Sequence, residues 1–147
     1  MRAKTKVSIE DKIREVAVGK FPEFSYVFED WKGADEAVDK IDLPAIISIL
    51  PVGGRLEFRN GRVRDRENCA VAFIDKVARD ADGDDNERVY TAMKETAGKF
   101  IQELNKSGYF EPIEDEVRYT TIYESMSTNV TGVFVELTLR ELVGMCV

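Results

Sequence analysis

The chain contains no histidine. That absence removes Ser-His and Cys-His nucleophile pairs and every zinc site built on an imidazole ligand. Its two cysteines, Cys69 and Cys146, are too few for a four-cysteine metal site and read as reduced thiols. No apolar run reaches the roughly 18 residues of a membrane-spanning helix. The basic start, Met1 to Val7, lacks the apolar stretch of a signal peptide, so a cytoplasmic location is expected. Without a secretory route, the sequons beginning at Asn105 and Asn129 carry no glycosylation reading. There is no Gly-x-x-x-x-Gly-Lys-Ser/Thr loop, and Gly53-Gly54-Arg55 lacks the spacing of a dinucleotide fingerprint. Acidic residues abound, but none is singled out by an apolar setting. The residues therefore point to a non-enzymatic protein with no cofactor and no metal.

What remains is ordinary globular material. The 147 residues are 44% hydrophobic and 33% charged, long enough for one α+β domain spanning 1–147 with a real core. The net charge of −7 is uneven. Residues 51–79 carry seven basic and four acidic side chains, whereas residues 80–147 carry six basic and fourteen acidic ones. An acidic whole with one basic hairpin argues against general nucleic-acid binding and permits subunit-to-subunit contacts between patches of opposite sign.

Ser8-Ile9-Glu10-Asp11 reads as a helix start, with Ser8 as the cap and Ile9, Ile13, Val16 and Ala17 on one face. Gly19 and Pro22 stop it. Phe24–Phe28 reads as a short strand, and 33–41 as a short helix or a loop. Leu43–Leu50 is a β-branched apolar run between prolines and reads as a strand. Leu56–Arg66 holds Asn60-Gly61, the dipeptide of a type I′ hairpin turn. Asn68–Val77, apolar on both faces at one end, suits a central strand. A long helix runs from a cap at Asp85 or Asn86 to about Lys106, its buried stripe being Val89, Met93, Ala97, Phe100, Ile101 and Leu104. Val117–Glu124 is the next strand and 125–131 a connection. Val133, Val135, Leu137 and Leu139 then alternate with Phe134, Glu136, Thr138 and Arg140, a strand with one buried face. The expected architecture is an antiparallel sheet with an N-terminal helix, a long helix across it and a C-terminal hairpin.

The acidic stretch Asp80–Glu87 invites a calcium reading. A calcium loop begun at Asp80 needs glycine where Asp85 stands and glutamate where Thr91 stands, so the stretch reads as a solvated loop leading into a helix start. The run Arg55, Arg59, Arg62, Arg64 and Arg66 is the sharpest charge feature. It reads as the wet face of a hairpin, as a grip on an acidic protein partner, or as a contact for nucleic-acid phosphates. The aromatics Phe21, Phe24, Tyr26, Phe28 and Trp31 pack the first helix onto the sheet or belong to an interface. Phe134, apolar on a polar face, marks a contact site if it is exposed.

The order of elements resembles phage tail-terminator and tail-completion proteins, including the minor tail protein U type and the neck proteins of contractile-tailed phages and prophages. The stretches that carry the resemblance are the helix at 8–20, LPAIISILP at 43–51, NCAVAFIDKV at 68–77, the helix at 86–108 and TGVFVELTLRE at 131–141. The resemblance implies a structural role without catalysis or cofactor. It also implies self-assembly into a ring, often hexameric, that meets tail-tube or neck proteins. Ring contacts of that kind are heterologous, one patch meeting a different patch on the next subunit. The arginine hairpin and Asp82, Asp84 and Asp85 are then the complementary patches. The alternative from the residues alone is an adaptor that binds one protein partner through its sheet.

Overall fold

The computed structural model describes residues 8–125, 129–142 and 145–146. The chain runs α1 (Ile9–Lys20), β1 (Ser25–Glu29), α2 (Trp31–Val38), β2 (Ala45–Ile49), β3 (Gly54–Arg59) and β4 (Arg62–Lys76). It continues with α3 (Gly83–Lys106), β5 (Tyr119–Ser125), β6 (Val130–Arg140) and β7 (Met145–Cys146). This is the expected α+β class. The strands join one sheet ordered β1-β2-β4-β6-β5, with β3 and β7 also paired to β4.

The hairpin and the central strand, expected as separate pieces, are one strand. The Asn60-Gly61 turn has the positive φ values that a type I′ hairpin needs, 52° and 74°. Beyond it neither glycine nor proline interrupts 62–76, so β4 continues for 15 residues. Its neighbours are the ones that break. Along one edge β4 pairs with β2 and then, past the gap at 50–53, with β3. Along the other it pairs with β6 and then β7. The first part of β4 and β3 thus form an arm in which every residue from Leu50 to Arg62 except Glu57 is exposed.

The sheet is antiparallel with one exception, β1 beside β2, which run parallel. Parallel neighbours need a crossover, and α2 supplies it. The ambiguous stretch at 33–41 is therefore helical as far as Val38, and the helix is capped by Asp30, whose carboxylate accepts from the Gly33 N–H at 2.7 Å.

Helix α3 starts earlier than expected. Its cap is Asp82, not Asp85 or Asn86. The Asp82 carboxylate accepts from the Asp85 N–H at 2.8 Å, and the Asp85 carboxylate accepts from the Asp82 N–H at 3.2 Å. This reciprocal capping box outcompetes a cap one turn later, because it satisfies two free donors at once. Ser8 and Asp11 do the same for α1, as expected of Ser8.

Helices α1 and α3 cover one sheet face. Ile13, Val16, Phe100 and Leu104 pack there on Val71, Phe73, Val133 and Val135. Phe73 and Phe100 meet edge to face at 5.4 Å. Helix α2 covers the other face over β1 and β2, where Ala34 and Val38 meet Ile47, Ile49 and Ile74. That two-sided burial explains why β2 and the middle of β4 read apolar on both faces. The aromatic run is split by the sheet. Phe21 lies against Phe24 and Phe100 on the α3 side, whereas Trp31 meets Phe134 on the α2 side. Gly132 in β6 sits so close to β4 that a Cβ there would collide with the Phe73 carbonyl oxygen. Of the expected connection at 125–131, residues 126–128 lie outside the described residues. No helix among the described residues is long and apolar enough to cross a membrane.

Candidate interaction site

Cross-strand register sorts the arm into two faces. Arg55 lies opposite Arg66, Glu57 opposite Arg64, and Arg59 opposite Arg62. All five arginines of the sequence run therefore share the face that α2 partly covers. Arg66 in turn lies opposite Arg140 on β6. Arg55, Arg66 and Arg140 thus form a row across β3, β4 and β6. Arg140 was not part of the sequence run. Its place in the polar half of the β6 alternation was legible, but the register that brings it beside Arg66 was not.

The row is partly neutralised from within. Arg140 donates to Glu57 at 2.9 Å and to Glu111 at 3.3 Å. Arg64 donates to Glu111 at 2.8 Å, and its Nε and Nη2 reach the Glu141 carbonyl at 3.0 and 2.6 Å. The Arg64 guanidinium, with Arg140 beside it, holds the Glu111 carboxyl below the usual carboxylate range. Arg64 is thus an internal clamp rather than a free cation. The buried Glu141 carboxylate pairs with Lys12 of α1 at 2.7 Å. No ion pair among the described residues engages Arg55, Arg59, Arg62 or Arg66. The Nε of Arg140 is buried without an acceptor.

The opposite face of the arm is apolar. Leu56 is 60% and Phe58 72% exposed, with Val63 opposite Phe58. Nearby on the same side of β4, burial raises the carboxyls of Asp65 and Glu67, and Glu141 pushes both further up. Burial also pushes the Cys69 thiol well up.

The acidic candidates stand elsewhere. Asp82 and Asp85 are committed to the capping box, and Asp85 also pairs with Arg88 at 2.6 Å. Those hydrogen bonds hold the Asp85 carboxyl below its ordinary value. Asp84 is exposed, as are Asp80 and Glu87 on either side of it. This helix start is tied to the sheet through Asn86, whose Oδ1 accepts from the buried Thr131 hydroxyl at 2.7 Å. Thr131 is the second residue of β6, and Arg140 ends it. At about 3.3 Å per residue the acidic helix start and the arginine row lie roughly 30 Å apart along that strand. The structure does not bring the two patches together within one chain.

Phe134 is half-buried, its ring meeting Trp31 at a 5.4 Å centroid separation. Trp31 stays 42% exposed, and Thr120, Glu136, Thr138 and Asn68 on the same sheet face are exposed. No group of three or more His, Cys, Asp or Glu side chains among the described residues could hold a metal ion. No family model matches this chain, and no curated protein matches it.

Proposed function

We propose that this chain is a structural assembly protein that joins copies of itself head to tail in a ring, the role implied by its resemblance to tail-terminator and head–tail joining proteins. One observation carries the reading. The basic, apolar-backed arm and the acidic start of α3 sit at opposite ends of β6, where neither can satisfy the other within the chain. A neighbouring copy in the same orientation brings Arg59 and Arg62 of one subunit to Asp80, Asp84 and Glu87 of the next. Such a contact is heterologous and closes into a ring when the rotation allows. Leu56 and Phe58 supply the apolar part that charge alone does not give. Arg64, Asp82 and Asp85 are held by their own chain and contribute little. The partners of the ring are then tail-tube or neck proteins.

Light scattering coupled to size exclusion, at low and high salt, tests the reading. A discrete oligomer that weakens with salt is expected. R59E/R62E is expected to give monomers, and mixing it with D84R/E87R should restore assembly. A monomer at every salt, or an oligomer indifferent to R59E/R62E, would overturn it. That outcome favours the second reading, an adaptor. Its support is the exposed Trp31 beside Phe134 on the half-open sheet face, a place where a partner finds an aromatic anchor.

A further inference from the structure

We infer that the base of the arm is an oxyanion site, with Arg55, Arg66, Asn68 and Thr138 arranged to take the tetrahedral phosphate of a small molecule or of a polymer. The inference does not depend on ring assembly, because it uses the base of the arm and not its tip.

The four residues line a shallow concavity of about 170 Å³. They come from three adjacent strands, since Arg55 lies opposite Arg66 and Asn68 lies opposite Thr138. The hole suits one phosphate group, and no aromatic ring among the described residues walls it for a base. Its chemistry is one-sided. The Thr138 hydroxyl donates to the Asn68 Oδ1 at 3.3 Å, which occupies that oxygen and leaves the Asn68 NH2 to act as a donor. Arg55 and Arg66 bring only donors, and no carboxylate among the described residues lines the concavity.

The surroundings sharpen the case. Like charges directly opposite one another in a sheet repel, and here Arg55, Arg66 and Arg140 stand in one row. Glu57 and Glu111 neutralise Arg140, but no described acid pairs with Arg55 or Arg66. The row therefore keeps two guanidinium groups whose repulsion a bound dianion relieves. Paired planar guanidinium forks match phosphate oxygens better than ammonium groups do.

The test is a titration of the full chain with inorganic phosphate, against chloride at equal ionic strength, followed by the NMR shifts of the Asn68 side-chain amide and the arginine Nε–H groups. Saturable shifts at Asn68, Arg55 and Arg66 with phosphate and not with chloride are expected. R66Q should weaken that binding about tenfold, the effect of one lost charge-assisted hydrogen bond. R118Q, a change at an exposed arginine outside the concavity, should leave it unchanged. A short DNA duplex at equal phosphate concentration separates the sources. Binding through the same resonances identifies a polymer backbone, and silence identifies a small phosphate. The inference fails if chloride produces the same shifts, or if R55Q and R66Q titrate like the unsubstituted chain. It also fails if the Asn68 and Arg66 resonances move with protein concentration alone and ignore phosphate, since a second copy then fills the place. Repeating the titration on R59E/R62E keeps the result separate from assembly.

Discussion

Asn86 offers the sharpest quantitative test of how the long helix is fastened to the sheet. It is only 8% exposed, and Thr131 is fully buried. The Asn86 amide donates to the Asp82 carbonyl at 3.0 Å and to Glu124 at 3.2 Å. Its Oδ1 takes the Thr131 hydroxyl, whose oxygen accepts in turn from the Glu124 N–H at 3.1 Å. Replacing Asn86 by Ala strands the Thr131 hydroxyl in a buried place, which costs about 1–3 kcal/mol. Better helix propensity returns a few tenths to about 0.7 kcal/mol. The net expectation is a loss of about 2 kcal/mol, or roughly 4–8 °C in Tm for a chain of this length. Thr131→Val should cost a similar amount, because it leaves the Asn86 Oδ1 unmatched. The double variant removes both ends of one bond, so it should be more stable than the sum of the singles predicts, by about 1 kcal/mol. Urea unfolding followed by circular dichroism measures all three. Strict additivity, or single losses under about 0.5 kcal/mol, would refute the claim that this bond is buried and shared.

Three further outcomes are expected. Gly132→Ala should destabilise by about 3 kcal/mol or more in thermal unfolding, because the new methyl meets the Phe73 carbonyl and β4 must give way. In thiol labelling with peptide mapping, Cys69 should stay unmodified in the folded chain and react only on unfolding, since it is buried and its thiol is held protonated by burial and by Glu67. The raised carboxyls of Asp65 and Glu67 contribute stability that is present below their unfolded values and lost as pH rises through the folded ones. Glu67→Gln should therefore be more stable than the parent at neutral pH. That advantage should close on acidification through the upper carboxylate range, and the opposite trend in pH-dependent urea unfolding would count against the assignment.

Periodicity carried much of this fold. Met93, Ala97, Phe100 and Leu104 of the helix stripe and the alternation from Val133 to Leu139 are buried as their spacing requires, while Val89 and Ile101 at the stripe's margin are half-buried. Local chemistry also placed the Ser8 cap and the Asn60-Gly61 turn. What periodicity lacks is register. Nothing in the order of residues shows that Arg140 stands beside Arg66, or that β1 runs parallel to β2, because both depend on how distant segments meet. The cap at Asp82 was missed for a different reason. Asp82, Asp84, Asp85 and Asn86 are all competent caps, and the choice among them falls to the reciprocal bond that only Asp82 and Asp85 complete. The arginine run was visible as charge, but its division into the clamped Arg64 and the free Arg59 and Arg62 rests on Glu111 and Glu141, more than 40 positions away.

The unbroken course of β4 has a mechanical consequence. At about 3.3 Å per residue its 15 residues span about 50 Å, from the arm's turn to the far side of the core. A pull along the arm is borne in shear, with every rung of the β4–β6 ladder sharing the load before any one parts. A sideways force on β3 meets its rungs one at a time and peels it like a zip. A contact made at Arg59 and Arg62 is thus stiff to tension and compliant to prying, and a subunit could be stripped from its neighbour edgewise under a load it would resist end on.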